Sequence, residues 1–415
     1  MRAVPCSLIS ALSAMSVFAQ TPAPKPTLEG SLAKASYALS IEGGRMTGPG
    51  AAILQTAISQ ADYVLLGEDH LTREIPRFGA AVCDAMASGG LSAMAFEASP
   101  AVARFVQESL KTSNRIQTMA ELQKKYPDSA AFLNIKDEND LAAHCAAISK
   151  RSNFEIWGLD QEFMGSAGWI LARMLAANPG PAARGAILHL QALERADVEE
   201  ARKTGDPSKL FLVSVPDSDI QGASAAINKD GTPATKVAFH ELTTSRTIYL
   251  EQGTHPSDSN ASRGLLMKHN FLTYYNMAGG DNQSKRILFK FGDWHLYKGV
   301  NPLHQRDLGN FIAEFADGQG KGSLHILVLG IKGTHAVYSG YDRPLKFEPF
   351  DMVQDDDYKW LKPAIDAKKA ESWTLFDLRG LRFGQLNLDA DWQRVVYGYD
   401  LLVLIPELTP AALIQ

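Results

Sequence analysis

One unit occurs twice in this chain, and it constrains the fold more than any other feature. Each copy consists of a short apolar run, a Gly-x-x-His motif, a helical stretch and a second apolar run. The first copy occupies residues 63–96 and the second occupies residues 287–329, with the motifs at 67–70 and 292–295. Strand, turn, helix, strand is a βαβ unit, and such units build parallel sheets through right-handed crossovers. We therefore predict a mostly parallel central sheet.

The chain between the two copies is mainly helical in pattern. Helix-compatible stretches lie at 101–110, 140–150, 167–177, 181–203, 236–252 and 261–278, with strands predicted at 154–157 and, near the end, 401–405. The predicted fold class is α/β: a mostly parallel central sheet from two related βαβ-containing halves, with a large helical insertion or cap. The predicted divisions are 1–19 (signal peptide), 20–50 (linker and first helix), 51–100 (first half), 101–280 (mainly helical insertion) and 281–415 (second half).

The first residues have the pattern of an export signal. Arg2 is followed by an apolar or small run at 8–18, and Val17-Phe18-Ala19 presents compact residues at the positions that signal peptidase reads. The apolar run is too short to span a bilayer. We predict cleavage after Ala19, a periplasmic or secreted protein, and no membrane span in the mature chain.

Composition and cysteine content narrow the partners and the compartment. The net charge is -5, and no basic run contains interleaved aromatic residues, so the sequence does not favour nucleic acid as a partner. A small-molecule or peptide substrate is predicted instead. Cys83 and Cys145 are the cysteines of the predicted mature chain. An oxidising compartment would permit a disulfide between them, and two buried free thiols fit their apolar surroundings equally well.

Polar residues follow the predicted strands at the point where each strand ends. They are Glu68, His70, Glu97, Asp160, Asp293 and His295. Ligands of parallel sheets gather beyond the carboxyl ends of the strands, so these side chains converge on one edge if the strands share one sheet. The glycine of each motif permits positive φ in a sharp turn and a close approach to a ligand. Two such motifs, each with an acid, predict one polar active-site cleft.

Several of these residues also have a structural interpretation. Glu97 ends an apolar strand, where a carboxylate is costly to bury unless it is used or paired, and a salt bridge to an arginine is the alternative. Glu74 lies four residues after His70, so the two would share a helix face and Glu74 could orient the imidazole or hold a metal. Its alternative is a solvated face shared with Arg73. Asp160 lines the cleft or caps the following helix.

The chemistry that these residues suggest is the activation of water. The sequence has no Gly-x-Ser-x-Gly elbow, phosphate-binding loop or Gly-x-Gly-x-x-Gly fingerprint, and no serine or cysteine stands out as a nucleophile. Histidines among carboxylates can activate water as general bases or through a bound metal ion. Arg263 shares a helix face with Met267 and Asn270 and could bind a carboxylate or stabilise an oxyanion.

At these residues the chain resembles the superfamily of erythromycin esterase, the haem-binding ChaN-like proteins and the Tiki/TraB group. The stretches that carry the resemblance are Leu66-Gly67-Glu68-Asp69-His70 with Glu74, Phe96-Glu97, and Gly292-Asp293-Trp294-His295. Three others look most like the esterase branch: Gly158-Leu159-Asp160, the helix with Arg263, and the closing strand to Pro406-Glu407. The residues before His295 depart from the small and amide residues usual in that branch.

The resemblance implies two related α/β halves around a cleft with a catalytic His and Glu set. His70 looks like the general base, Glu68, Glu74 and Glu97 would position or polarise the water, and His295 would complete the site. Asp69, Asp160, Arg263 and Asp293 would bind substrate or support these groups.

Three functions remain open from the sequence. The first is an exported hydrolase that acts on an ester, lactone or amide. The second is a ChaN-like protein that binds haem or a divalent metal, or a Tiki-like metallopeptidase, with His70, Glu97 and His295 as the candidate metal ligands. The third is a non-catalytic binding module.

Overall fold

The computed structural model describes residues 25–149, 153–282 and 284–415. The predicted signal peptide and its cleavage point lie outside the described residues. None of the helices within the described ranges is long and apolar enough to cross a membrane.

The described chain forms ten strands and fifteen α-helices. The strands are β1 (Ser36–Glu42), β2 (Arg45–Thr47), β3 (Tyr63–Glu68), β4 (Leu91–Phe96), β5 (Glu155–Gly158), β6 (Arg286–Gly292), β7 (Ser323–Val337), β8 (Lys346–Asp351), β9 (Trp373–Asp377) and β10 (Leu401–Leu408). The helices are α1 (Leu28–Ala35), α2 (Pro49–Ser59), α3 (Glu74–Ala87), α4 (Pro100–Ser109), α5 (Arg115–Lys125), α6 (Lys136–Ile148), α7 (Ala167–Ala176), α8 (Pro181–Thr204), α9 (Phe211–Ser214), α10 (Asp217–Asp230), α11 (Pro233–Thr254), α12 (Pro256–Met277), α13 (Leu308–Gly318), α14 (Lys362–Asp366) and α15 (Ala390–Gly398).

All ten strands belong to one sheet with the order β2-β1-β9-β10-β7-β3-β6-β4-β5, and β8 pairs with β7 off this path. The strands from β10 to β5 are parallel to their neighbours in this order. The remaining pairs, which involve β1, β2, β8 and β9, are antiparallel. The predicted α/β class with a mostly parallel central sheet and a helical insertion is confirmed.

The two predicted βαβ units both form, and they interleave. Strand β6 lies between β3 and β4, and β3 lies between β6 and β7. Alternate side chains of β3 enter two different cores: Val64 and Leu66 face the core that contains α3, while Tyr63 and Leu65 face the core that contains α13. The two crossover helices therefore cover opposite faces of the sheet. Successive side chains of a strand point to opposite faces, and helices cover both faces of a parallel sheet.

The helical insertion packs mainly on the α3 face of the sheet. Two of its helices begin at side-chain caps: the Ser99 side chain accepts a hydrogen bond from the backbone of Val102 before α4, and Thr232 does the same for Thr235 before α11. In both helices a proline occupies the first position, where its missing N–H is not needed. The insertion thus forms a helical layer over one face, ending with α12 on the other face.

The antiparallel margin of the sheet was not predicted. Within 20–50, predicted as a linker and first helix, α1 is followed by β1 and β2. Strand β8 is largely exposed and contains Pro349, so it lacks the apolar pattern of a buried strand. Strand β7 runs to Val337, well beyond the apolar stretch at 324–329, because its second part pairs with β8.

Cys83 and Cys145 form a disulfide, with their Cα atoms 5.5 Å apart. The bond joins α3, which follows the first Gly-x-x-His motif, to α6 of the insertion. Of the two alternatives that the sequence left open, the structure has the disulfide.

Candidate active site

The carboxylate of Glu97 lies at the centre of the site, directly after β4. One oxygen, Oε2, contacts Nε2 of His70 at 3.2 Å and accepts the backbone N–H of Gly292 at 2.6 Å. The other, Oε1, accepts from Arg263 at 2.7 Å and lies 3.6 Å from Nε2 of His295. Burial alone would raise the pKa of Glu97, but the positive charges of the two histidines and the arginine outweigh it and hold that pKa well below its usual range.

His70 lies between two carboxylates. Its Nδ1 is 2.9 Å from Oε1 of Glu68, its Nε2 faces Glu97, and its ring stacks on Phe132 with the centroids 4.2 Å apart. Burial opposes a positive charge on this ring, but the two carboxylates favour it and raise the pKa of His70 to about 10. The side chain is 25% exposed, so solvent reaches this imidazole.

A buried ion pair network supports Glu68 from behind. Lys290 of β6 donates to Oε1 of Glu68, and it also donates to Glu138 of α6 at 2.5 Å. All three side chains are buried. Burial and the charge of Glu68 raise the pKa of Glu138 to about 7, although Lys290 opposes the rise. Removal of the single lysine would leave Glu138 without a cation and Glu68 with His70 alone, which is strongly unfavourable.

His295 has the same arrangement with different partners. Its Nδ1 is 2.7 Å from Oδ2 of Asp307, and its Nε2 faces Glu97. Asp307 precedes α13, and its other oxygen accepts the backbone N–H of Leu308. Burial would lower the pKa of His295, but Glu97 and Asp307 raise it. This histidine is only 10% exposed.

Arg263 of α12 links Glu97 to Asp160. Its Nε donates to Oδ1 of Asp160 at 2.9 Å and its Nη2 to Oδ2 at 2.5 Å, in a bidentate pair. Asp160 also accepts the N–H of Gln161 and does not cap a helix, which resolves the alternative in favour of the cleft. On the same helix Met267 is buried, and Asn270 donates to the carbonyl oxygen of Leu159.

The two motif glycines provide space rather than an unusual turn. A Cβ at Gly292 would lie 2.9 Å from Nε2 of His70, and one at Gly67 would lie 2.3 Å from the hydroxyl of Tyr399. Neither glycine has a positive φ; the left-handed residue of the first motif region is Leu71, at φ 65°. The prediction of a sharp turn with positive φ at these glycines is therefore wrong, and close approach is their role.

A cleft of about 270 Å³ opens beside Glu97. Its walls include Arg263 and Asp160 on the polar side and Phe132, Phe163 and Tyr249 on the aromatic side; the other lining residues are Ala98, Ser99, Val102, Ser129, Ala131, Gln161 and Gln252. A ligand in this cleft would contact the guanidinium that is bound to Glu97 and the ring that stacks on His70.

Asp69 and Asp293 lie at the edge of the cluster. Asp69 is 3.5 Å from Nδ1 of His335. Asp293 is buried, and burial together with the charge of Asp69 raises its pKa to about 7, against the opposing charges of His70 and His295. Asp293 therefore interacts electrostatically with both motif histidines, while Asp69 acts on Asp293 and His335.

Glu74 lies outside this cluster. Its two carboxylate oxygens accept the backbone N–H and the hydroxyl of Thr409, at 2.8 and 2.6 Å. The prediction that it shares a helix face with His70 is wrong, because α3 begins at Glu74 and His70 belongs to the preceding loop. Glu74 instead ties the start of α3 to the segment after β10.

The residues present do not fit a divalent metal ion. Within the described ranges no three His, Cys, Asp or Glu side chains are grouped as metal ligands. The reason lies in the charges around the proposed ligands: Glu97 already accepts from Arg263 and from the N–H of Gly292, and the guanidinium would repel a second cation at this point. Both nitrogens of His70 likewise face carboxylates, so a metal ion or a haem iron would have to displace Glu68 or Glu97 from the ring.

Three residues of the cluster were not predicted: Lys290, Glu138 and Asp307. A lysine inside the apolar run at 287–291 was a visible signal, because a buried charge needs a partner. Asp307 stands directly before an amphipathic helix, as an N-cap residue does. Glu138 lies in the first turn of α6 and carried no signal that distinguishes it from a solvated acid.

Fold and site together define an α/β protein whose parallel sheet carries a histidine and carboxylate cluster at the carboxyl ends of β3, β4 and β6. No family model matches the sequence, and no curated protein matches it. Solved structures do match. A Bacillus cereus protein from a structural genomics programme gives a TM-score of 0.58 at 16% identity, over 94% of this chain and 100% of that one.

Two further structures carry functional names. A variant of the erythromycin esterase EreC in its open conformation gives a TM-score of 0.60 at 14% identity, over 88% of this chain and 95% of that one. A succinoglycan biosynthesis protein gives 0.57 at 16% identity, over 93% and 98%. The resemblance predicted from the sequence is thus confirmed as a likeness of fold.

Proposed function

We propose that this protein is a hydrolase that activates water at His70 to cleave an ester, lactone or amide. The observation that carries the proposal is the Glu97 carboxylate, which binds both motif histidines and Arg263 at the wall of a cleft. The fold shared with an erythromycin esterase supports the same class of reaction. The residues before His295 differ from those usual in the esterase branch, so we do not propose a macrolide as the substrate.

His70 is the proton carrier in this proposal. The contact with Glu68 fixes the Nδ1–H of the ring, so Nε2 is the atom that takes a proton from water and returns it to the leaving group. Arg263 is the fixed positive charge that stabilises the oxyanion, since its position is set by Glu97 and Asp160. His295 holds Glu97 from the other side and is a positioning residue.

The raised pKa of His70 has a direct consequence for this role. With a pKa of about 10 the ring carries a proton at neutral pH in the empty site. A general base must lose that proton, so the reaction rate rises as the pH approaches 10. If His70 acted as a general acid, the reaction rate would instead fall as the pH rises.

We also infer that the protein works outside the cytoplasm. The signal-like residues at 1–19 and the Cys83–Cys145 disulfide support this location, because disulfides persist in oxidising compartments. The intact mass of the protein recovered from the periplasm or medium checks it; a chain that begins after Ala19 is expected, and full-length protein in the cytoplasm would contradict the inference.

The test of the proposed function is a panel of aryl esters, lactones and anilides with the purified full chain, in the presence and absence of a chelator. His70→Ala is expected to lower turnover at least about a hundredfold. His144→Ala is the matched control, because in the described part of the chain that histidine pairs with the partly exposed Asp84 and with no residue of the cluster. Equal activity of the His70 and His144 variants, or no turnover of any panel member by the wild type, would reject the hydrolase.

A further inference from the structure

A second cavity, of about 280 Å³, adjoins the candidate active site and shares no residue with the first cleft. Four aromatic rings form much of its wall: Trp294, Tyr297, Tyr358 and Trp360. We call it the aromatic cavity. Four acids and one base also line it: Asp293, Asp356, Asp357, Asp391 and Arg394.

The acids that line the aromatic cavity outnumber the one base that lines it. Asp356 pairs with Lys359 at 2.9 Å, and Asp391 pairs with Arg394 at 3.0 Å. That leaves Asp293 and Asp357. Within the described ranges no side chain donates a hydrogen bond to the carboxylate of either residue, although the backbone N–H of Trp294 donates to that of Asp293.

Asp293 is the acid that makes this more than a cluster of surface carboxylates. It is 94% buried, since its relative exposure is 6%, and yet it lines the cavity. Tyr399 donates to the backbone carbonyl of Asp293, not to its carboxylate. The backbone N–H of Trp294 and the charges of His70 and His295 compensate this buried carboxylate only in part, because burial and Asp69 still raise its pKa to about 7. A cation in the cavity that Asp293 lines would add to that compensation.

A cation with apolar substituents satisfies both features at once. Aromatic faces attract cations, and quaternary or tertiary ammonium groups are recognised by cages of such rings. A metal ion is a poorer fit, because no three acids or histidines of the described chain are grouped as ligands. We propose that the aromatic cavity binds an organic ammonium group.

The position of the aromatic cavity gives it a role in substrate binding, and this role rests on the proposed function. Asp293 directly follows Gly292, whose N–H donates to Glu97 at 2.6 Å, and it precedes His295 by two residues. An ammonium group in the aromatic cavity is therefore held next to the reacting cluster. The cavity is slightly below the roughly 300–1,000 Å³ of whole small-molecule sites, so it accommodates one group of a larger substrate. The substrate class is a cationic ester, lactone or amide.

Binding is tested without any turnover. Tetramethylammonium chloride is titrated into the full chain by calorimetry, with sodium chloride at the same ionic strength and neutral 2,2-dimethylpropanol as controls. Tetramethylammonium is expected to bind, and Tyr358→Leu is expected to weaken it about fivefold, while Tyr358→Phe retains the ring and the affinity. Asp357→Asn, a change of an exposed side chain, is expected to weaken binding about twofold and remains informative if the leucine variant does not fold.

Several results overturn the proposal: no binding beyond that of sodium, equal binding of the neutral alcohol, or the same affinity in the wild type, Tyr358→Leu and Asp357→Asn. Turnover is compared separately with a choline ester and its uncharged 3,3-dimethylbutyl analogue, and the choline ester is expected to have at least a fivefold higher kcat/KM. Ammonium binding without hydrolysis of any ester would reject the proposed function alone. Hydrolysis with equal kcat/KM for the pair and no ammonium binding would reject the aromatic cavity alone.

Discussion

The two Gly-x-x-His motifs place their histidines on the same carboxylate, but they support them in different ways. His70 takes its second partner from two residues earlier in the chain, and that partner, Glu68, is held by the buried Lys290. His295 takes its second partner, Asp307, from the start of a helix twelve residues later. The same local geometry, a carboxylate on Nδ1 and Glu97 on Nε2, is thus built once from a strand and once from a helix cap.

The difference in exposure separates their roles. The His70 side chain is 25% exposed and its stacking partner Phe132 lines the cleft, whereas the His295 side chain is 10% exposed. The comparison teaches that a repeated motif need not repeat a function. We expect the more exposed histidine to move protons and the less exposed one to hold Glu97 in place.

The largest expected effect is a difference in kcat between the alanine variants of the two motif histidines. His70→Ala should lower kcat about 10²–10⁴-fold, the usual loss when a general base is removed, whereas His295→Ala should lower it far less, since Glu97 keeps His70, Arg263 and the N–H of Gly292. Steady-state kinetics on an ester accepted by the wild type measures both. A greater loss in the His295 variant would reverse the assigned roles.

Lys290→Met tests the buried network behind the first motif. The change leaves Glu68 and Glu138 without their shared cation, so the free energy of unfolding should fall by about 3–5 kcal/mol. Denaturant unfolding monitored by fluorescence measures it. Lys362→Met is the control, because that lysine pairs with Asp366 on the surface and such pairs contribute little. Equal stability of the two variants would show that the network is not stabilising.

Asp307→Asn tests the support of His295 in the second motif, and its expected effect is smaller. Asparagine remains a good N-cap residue, so the helix should keep its stability while His295 loses a charged partner. A hydrogen bond to a charged group contributes about 1.5 kcal/mol, which corresponds to roughly a tenfold loss of kcat/KM if the positioning is lost. Asp307→Ala should lose the cap as well and unfold at lower temperature. Full activity in both variants would show that Asp307 does not contribute to the function of the site.

The smallest expected effect is a shift of the pH profile. The wild-type rate should rise toward pH 10, where His70 loses its proton. Glu97 favours the protonated ring, so Glu97→Gln should lower the pKa of His70 and move the rising limb to lower pH, even if the maximal rate falls. The His70 resonances in an NMR titration give the same information directly. An unchanged limb in Glu97→Gln, with Glu199→Gln as the surface control, would exclude the charge of Glu97 as the cause.

The sequence predicted the parts of the site that are tied to strand ends. Glu68 ends a buried parallel strand, and Glu97 and Asp293 directly follow two others. Neighbouring strands of such a sheet end at the same edge, so convergence follows from topology. The parts that depend on packing between distant elements were not predicted. Glu138 reaches Lys290 only because α6 packs beside α3, and no periodicity within α6 contains that information.

Glu74 shows why spacing alone was insufficient. The distance of four residues from His70 implied a shared helix face, which requires both residues to be helical. The chain is not helical at His70, and Leu71 adopts φ 65°, so the helix starts later than the spacing assumed. A loop that turns before its helix cannot be distinguished by residue spacing from one that continues into it.

The interleaved strands have a consequence for how the molecule assembles. Because β3 lies between β6 and β7, the sheet at the centre joins residues that are more than two hundred positions apart, such as Tyr63 and Ile287. Pairings of such long sequence separation form slowly, since the loop entropy is lost before the contacts are gained. Strand β3, which comes early in the chain, therefore has both edges unpaired until β6 and β7 have been synthesised and pair with it. In the cell, that interval is when this chain most needs protection from aggregation.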